Sequence, residues 1–336
     1  MTRLRAAALI AAFAALLPPA ADAADPIQLK LAYPSAPSPP LFAGMRPFAE
    51  QVGKATDGAV EIKIFVGPTL GNLSNIYDRT LAGVADMAYG TIVVGGMMPK
   101  TTVSNLPFNS SNSHEASLAL WRLQAKGVTA SDFGAVKPLA LFTFGSSVLH
   151  TTKPIRTIED YKGEKIGAPT KNYAETLVLF GAAPVTITPT EYYQSISRGL
   201  VVGVPVSWTG LMAFKLFEVT NHHLETPQGL APAYFVMNKQ SFARLPEKAR
   251  QAIDKFSGEG LSARIGKAGN DNDLKNREKI AGTAGHTITA LTSQETARWR
   301  KVLAPVTVGW VKATPDGARV LAAFRDEVLK ARRELR

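Results

Sequence analysis

Five histidines, 27 carboxylates and no thiol are the groups from which this chain could build a catalytic or metal site. The lack of cysteine excludes a disulfide scaffold, a catalytic thiol and any thiolate-bound metal. His222 and His223 are adjacent, so on regular structure they point to different faces and cannot form a helical ligand pair. His114, His150 and His286 stand alone in the sequence, with no cluster at zinc-ligand spacing. A structural or surface role is expected for all five. Gly258 to Ala263 has the letters of a dinucleotide loop, but it follows a helical pattern where such a loop needs a strand before it. Neither a G-x-x-x-x-G-K-S/T phosphate loop nor a G-x-S-x-G nucleophile turn occurs. The chain is therefore expected to act without catalysis, cofactor or metal.

Other features of the sequence set the setting in which any site must work. Arg3 and Arg5 precede an apolar run from Ala6 to Leu17, then Pro18, Pro19 and the small-x-small stretch Ala21-Asp22-Ala23. This reads as a signal peptide over residues 1–23, cleaved near Ala23, because the run falls short of the ~20 residues that a membrane span needs. A soluble exported, periplasmic protein is expected. What remains is long enough for two domains at ~100–200 residues each. The net charge is +11, from 38 basic and 27 acidic residues, and removal of Arg3, Arg5 and Asp22 leaves +10. The basic residues are scattered apart from a tail, Lys330 to Arg336, which suits a solvated helix end. No nucleic-acid partner is expected.

The elements that must position a site alternate along the chain. Ile27, Leu29 and Leu31 alternate with Gln28 and Lys30, and Val60 to Val66 repeats the period-2 pattern of a strand. Between them Leu41, Met45, Phe48 and Val52 recur at helical spacing, and Leu73 to Val84 and Asp86 to Tyr89 supply a further helix and strand. This order argues a parallel α/β sheet. Asn112 and Glu115 cap a helix reaching Ala125, and Leu139 to Phe144 is an apolar strand. A second cycle follows: strand Lys165–Ala168, helix Tyr173–Phe180, strand Val185–Thr188, helix Glu191–Ser197, strand Val201–Val206, and later a strand at Tyr234–Met237. From Pro246 the chain turns mostly helical. Gly258, Gly260, Gly266 and Gly269 weaken the pattern there, each costing up to ~1 kcal/mol against Ala. Thr292 and Glu295 open one late helix, and Thr314-Pro315 another.

The segment from Arg156 to Pro169 reads RTIEDYKGEKIGAP. It resembles the signature D-x-K-G-x-K-I-R-x-P of the solute-binding proteins of TRAP transporters, the DctP type. Asp160, Lys162, Gly163, Lys165, Ile166 and Pro169 match. The order of further short motifs agrees: Gly67-Pro-Thr-Leu70-Gly71, Gly83 to Met87, Met98-Pro99 with Leu106-Pro107-Phe108, Gly181 to Pro184, Glu191 to Ile196, Gly199 to Gly203, and Leu245-Pro246. The resemblance runs over most of the chain after the signal. It implies an α/β, two-lobed periplasmic-binding-protein-like fold, with a ligand cleft between the lobes and a long bracing helix. On this basis lobe I takes residues 24–147 plus about 238–290, lobe II takes 148–237 plus about 291–313, and residues 314–336 form a C-terminal helix. The implied role is to bind one small solute, as a monomer, and deliver it to the membrane subunits of a TRAP permease. An exported sensor or scavenger on the same fold is the alternative, and an exported α/β hydrolase a more distant one.

Cleft walls in open α/β sheets come from the C-terminal ends of strands and the loops after them. Mapped through the resemblance, the ligand-binding candidates are Tyr33, Ser35, Asn72, Tyr89, Thr91, Ser147, Gly167, Thr170, Lys171, Val206 and Trp208. Three positions depart from the family pattern. Gly167 stands where the family has an arginine that clamps the ligand carboxylate, Val202 where it has an aspartate, and Val206 where many members have an asparagine. An arginine fork supplies two charge-assisted hydrogen bonds at ~1.5–3 kcal/mol each, so its loss would weaken carboxylate binding by roughly 10²–10⁴-fold. Lys171 could substitute as a point charge, or it could be a solvated surface lysine. Trp208 could stack on a ligand ring, or it could pack in the core. Gly, Val and Val in place of Arg, Asp and Asn lead us to expect a roomier, more apolar pocket, suited to an aromatic or bulky organic acid.

Overall fold

The computed structural model of the protein describes residues 25–38, 40–92, 97–169 and 171–336. The expected signal peptide, Thr170 and the side chain of Lys171 lie outside the described residues. In chain order the strands are β1 (Ile27–Tyr33), β2 (Val60–Val66), β3 (Met87–Thr91), β4 (Val136–Thr151), β5 (Lys165–Ala168), β6 (Ala183–Thr186), β7 (Gly203–Val206), β8 (His222–Asn238) and β9 (Thr287–Ala290). The helices are α1 (Arg46–Ala55), α2 (Ile76–Leu81), α3 (Ser113–Ala125), α4 (Lys171–Leu179), α5 (Tyr192–Ser197), α6 (Trp208–Ala213), α7 (Lys239–Ala243), α8 (Glu247–Phe256), α9 (Glu259–Ala281), α10 (Ser293–Ala313) and α11 (Gly317–Glu334). Among the described residues no helix is long and apolar enough to cross a membrane.

Alternation builds the first lobe as the sequence suggests. Leu29, Leu31 and Tyr33 of β1 face one side of the sheet, where they meet Met45, Phe48 and Val52 of the first helical segment and Ala249 and Ile253 of α8. Ala32 and Ala88 face the other side, under Ile76 of α2. β1 pairs in parallel with β2 and β3. The aspartate of the G-x-x-D-M motif, Asp86, explains its own presence: it is buried and accepts from the Lys30 N–H at 2.8 Å, the Ser241 hydroxyl at 2.6 Å and Arg244 Nη2 at 2.6 Å. One carboxylate thus ties β1, β3 and α7 together, with its charge compensated by hydrogen bonds.

The strands form one sheet in the order β2-β1-β3-β8-β4-β7-β5-β6, with β9 added to β8. Among the described residues only β4 and β8 run through both halves. β8 hydrogen-bonds β3 with residues Ala233–Met237 and β9 with residues His222–Glu225. The lobe limits therefore differ from those expected. Residues 233–237, counted with the second lobe, lie in the first lobe's core beside Leu31 and Phe142. Residues 287–290, counted with the first, pair at the other end of β8.

The bracing helix is α9; Leu245-Pro246 opens the shorter α8, which stops at Phe256. α9 spans 23 residues, roughly 35 Å at 1.5 Å each. It buries Leu261 and Ile265 in the first lobe and Ile280 in the second. Its glycines do not break it, because at least one serves packing. A Cβ on Gly266 would sit 2.5 Å from Ser117 Oγ and 2.9 Å from the Ser113 carbonyl, so glycine lets α9 lie close against α3. The Ser113 hydroxyl then donates to the Gly266 carbonyl at 2.9 Å. α10 also bridges: Trp299 and Leu303 pack in the second lobe and Trp310 in the first.

Candidate functional site

The first-lobe side of the expected cleft is backed by a buried aromatic cluster: Tyr33 and Phe142 are 0% exposed and Tyr89 4%. Tyr33 ends β1 and Tyr89 lies near the end of β3, so parallel pairing through β1 and β3 brings both rings to the C-terminal edge of the sheet. They stack with centroids 4.6 Å apart and planes inclined by 18°. Phe142 continues the stack and half-buried Phe144 meets Tyr89 edge-on. Ser35 lies beside both phenols, and burial pushes both phenols above their usual range, Tyr89 well above. Tyr33 and Tyr89 are therefore neutral, and the Tyr33 hydroxyl is already paired with the Ser38 hydroxyl. Thr91, half-buried, closes β3 opposite Ala233. Asn72 is exposed, and its side-chain oxygen is already used by the N–H and hydroxyl of Ser74, both at 3.0 Å. The structure brings Tyr33, Ser35 and Tyr89 together and leaves Asn72 in a local turn.

The second-lobe wall differs from expectation at Gly167. β5 places Gly167 between Ile166 and Ala168, which face the opposite core. A Cβ at Gly167 would lie 2.5 Å from Ile187 Cδ1 and 2.7 Å from Val204 Cγ1. The space in front of Gly167 is thus filled by two aliphatic side chains and is not a roomier pocket. Val202 packs partly against the α4 and α10 side, and Val206 against the α5 and α6 side, where it covers Gly210. Trp208 is buried at 4% exposure and packs edge-on against His150 and His223, so it is a core residue before it is a stacking platform.

The histidines that look isolated in the sequence meet in space. His150 Nε2 lies 3.2 Å from the Val206 carbonyl, His150 Nδ1 lies 2.7 Å from His223 Nδ1, and His223 Nε2 lies 2.9 Å from His286 Nδ1. A carbonyl only accepts, so His150 Nε2 carries the proton. In the neutral state this fixes the rest: His223 Nδ1 donates to His150, and His286 Nδ1 donates to His223. Burial holds His150 well below the ordinary histidine range and takes His223 down to about 3, with the neighbouring rings adding to the shift. The chain is therefore uncharged at neutral pH and anchors the end of β7 to β4, β8 and the segment before β9. Among the described residues no group of three or more His, Cys, Asp or Glu has the arrangement of a metal site.

α9 reaches the same wall through Asp273. Its carboxylate is buried and accepts from the Thr209 N–H at 2.7 Å and the Thr209 hydroxyl at 2.5 Å, which pins the start of α6 to the bracing helix. Burial pushes the Asp273 carboxyl up to about 6 against the pull of these hydrogen bonds. Gly145 of β4 makes room for it, because a Cβ there would run into the carboxylate. Gly145→Ala is expected to cost about 1–3 kcal/mol, as overpacking does. The penalty should shrink in the Gly145→Ala, Asp273→Ala pair, since two touching residues are not additive. Thermal midpoints of the two single variants and the double variant check this.

Ser147 and Tyr173 join the two walls. Ser147 lies on β4 where it crosses between the lobes, its carbonyl accepts from the Thr226 hydroxyl at 2.8 Å, and its side chain lies by the Tyr173 hydroxyl. A groove of about 420 Å³ borders Gly145, Ser146, Val148 and Trp208, with Asp273 and the Arg277–Glu225 ion pair of 2.7 Å on its α9 side. It includes Trp208 but none of Tyr33, Tyr89 or Gly167. Sequence reading did not find Phe144, the histidine chain or Asp273. Phe144 carried a signal in the apolar run of β4; the others come from segments far apart in sequence.

With this geometry in hand, the likeness to known proteins is informative. The family model described as DctP, bacterial extracellular solute-binding protein, family 7, matches residues 31–312. The C4-dicarboxylate-binding periplasmic protein DctP of Rhodobacter capsulatus is 26% identical over 297 residues, covering 84% of this chain and 86% of that one. A marine metagenome TRAP solute binding protein specific for aromatic acid ligands, solved with metahydroxyphenylacetate, superposes with a TM-score of 0.84 at 26% identity, covering 91% of this chain and 99% of that one. A TRAP solute binding protein of Rhodoferax ferrireducens, solved with copurified benzoate, gives a TM-score of 0.83 at 27% identity, covering 92% and 100%.

Proposed function

The chain belongs to the bacterial extracellular solute-binding proteins of family 7, and from that premise we propose that it captures an aromatic organic acid in the periplasm and delivers it to a TRAP permease. The observation that carries the ligand class is the aromatic cluster at the C-terminal edge of the first lobe, where half-buried Phe144 lies edge-on to Tyr89 and to the buried stack of Tyr33, Tyr89 and Phe142. Phe144 would offer offset or edge-to-face packing to a ligand ring, worth ~0.5–1.5 kcal/mol per pair beyond burial. The solved proteins that hold benzoate and metahydroxyphenylacetate support the same class. The aliphatic filling at Gly167 argues against a small dicarboxylate held by an arginine fork.

In this reading residues 1–23 direct export and are removed, and the monomeric protein works by binding rather than catalysis. Ser35 donates a hydrogen bond to the solute, half-buried Phe144 packs against its ring with Tyr33 and Tyr89 stacked behind, and Ser147 and Val206 line the junction. Thr91 borders the cleft, and Thr170 and Lys171, which lie outside the described residues in whole or in side chain, are proposed as ligand contacts, with Lys171 the positive charge for the carboxylate. The lobes close about the crossing of β4 and β8. A thermal-shift panel of benzoate, phenylacetate, succinate and polyols tests this. A ligand at 100 times its dissociation constant should stabilise by ~2.7 kcal/mol. The aromatic acids should raise the midpoint, and Lys171→Ala should abolish the rise. A shift from succinate alone would overturn the ligand class. An unchanged aromatic shift in Lys171→Ala would remove Lys171 from its role.

A further inference from the structure

At the crossing between the lobes, β8 does not keep register with β4. Val148 pairs with Glu225 and Ser146 with Leu230, so four residues of β8, Thr226 to Gly229, stand opposite the single residue Ser147. Such a bulge re-aims side chains and recurs beside functional sites. This one is held at several points. The Thr226 hydroxyl donates to the Ser147 carbonyl at 2.8 Å, and the Pro227 carbonyl accepts from the Phe108 N–H at 2.9 Å. Gly229 has φ +80°, and a Cβ on it would lie 2.5 Å from the Asn105 carbonyl group, so only glycine fits.

The residue that the bulge presents is Gln228. It is 8% exposed, yet neither its Nε2 nor its Oε1 has a hydrogen-bond partner. It lies beside the Tyr173 hydroxyl of α4. Pro227 lines the groove against α9, and Gln228 does not; it faces α4, whose first turn follows the expected ligand wall at Gly167. A buried amide with both ends unpaired costs roughly 1–3 kcal/mol, and proteins rarely carry that cost without a partner arriving.

We propose that Gln228 is a specificity residue of the binding site, and that its amide pairs with a hydroxyl or similar donor–acceptor group on the ligand ring. This rests on the aromatic-acid reading above. A hydroxyl can donate to Oε1 and accept from Nε2, so it satisfies an amide at both ends, whereas a carboxylate accepts only and leaves Oε1 facing a negative charge. A ring without such a group leaves the amide unpaired. A site built to hydrogen-bond a substrate group rejects the analogue that lacks it more strongly than an apolar pocket rejects an added group.

The test compares benzoate with the 2-, 3- and 4-hydroxybenzoates by calorimetric titration of the full-length mature protein. Wild type should bind at least one hydroxylated isomer about tenfold more tightly than benzoate. Gln228→Met, which keeps length and volume, should bring the affinities for benzoate and the preferred isomer to within about twofold of each other. A second measurement needs no variant: the Gln228 side-chain amide resonance of labelled wild type should move on adding the preferred isomer and stay with benzoate. Preference retained in Gln228→Met, an unmoved amide resonance, or no preference for any hydroxylated isomer overturns the assignment. A wild type that binds none of these acids overturns the aromatic-acid reading beneath it instead.

Discussion

Replacing Gly167 by arginine should destabilise the second lobe rather than install a carboxylate clamp. The first atom of the new side chain would already lie 2.5 Å from Ile187 Cδ1 and 2.7 Å from Val204 Cγ1. Both neighbours belong to a packed cluster with Tyr192, Ile196 and Trp208, so they have little room to withdraw. Overpacking costs ~1–3 kcal/mol, and a guanidinium forced among aliphatic groups without a partner adds a desolvation penalty of several kcal/mol. The expected loss is about 3 kcal/mol or more, with no gain in succinate affinity. Adding Ile187→Ala should recover part of the stability, because it removes the nearer of the two obstructions. Thermal unfolding and succinate titration of the single and double variants check both statements. A stable Gly167→Arg that binds succinate tightly would show that the aliphatic packing is not what excludes the clamp.

The second large effect is acid lability. His150 and His223 are held below the ordinary histidine value of 6.5, His223 at about 3. Below pH 6.5 the unfolded chain binds protons that the folded chain refuses. The stability these rings contribute is therefore complete above pH 6.5 and falls as pH drops from 6.5 toward 3, by ~1.4 kcal/mol per pH unit for each ring. Half-buried His286 is shifted in the same direction. Asp273 works the other way. Its folded value of about 6 lies above the ordinary 3.8, so the fold gains stability as pH falls through 6. From pH 6.5 to 5 His223 loses roughly 1.6 kcal/mol, His150 adds a loss in the same direction, and Asp273 returns about 1 kcal/mol. The thermal midpoint should fall by several degrees over that range. His150→Gln with His223→Gln should flatten the profile, and imidazole resonances of wild type should show neither ring charging above pH 5. A flat wild-type profile would mean that the chain is not neutral and buried in the way its geometry implies.

Both effects turn on packing that only the fold reveals. The lack of the arginine was legible at Gly167, and the spans of β1, β2 and β5 followed from alternation or from the motif that contains them. The refilling was not legible, because Ile187 and Val204 lie on other elements and look like ordinary core residues. Only the apolar halves of the crossing strands, Leu139–Phe144 and Tyr234–Met237, announced themselves. Their other halves carry Gly145-Ser146-Ser147 and the Thr226–Gly229 bulge, which have no strand periodicity. The glycines of α9 read as helix weakeners because close approach to α3 cannot be seen from one segment. The histidine chain escaped for the same reason: its links join residues 73 and 63 positions apart.

The most direct measurement is calorimetric titration of the mature protein with benzoate and with succinate at pH 7.5. An aromatic acid held between the aromatic cluster and a lobe without the arginine fork should bind one molecule per chain and more tightly than succinate, by tenfold or more, with a negative heat-capacity change from ring burial. Tighter binding of succinate, or no binding of benzoate at millimolar concentration, would contradict the account.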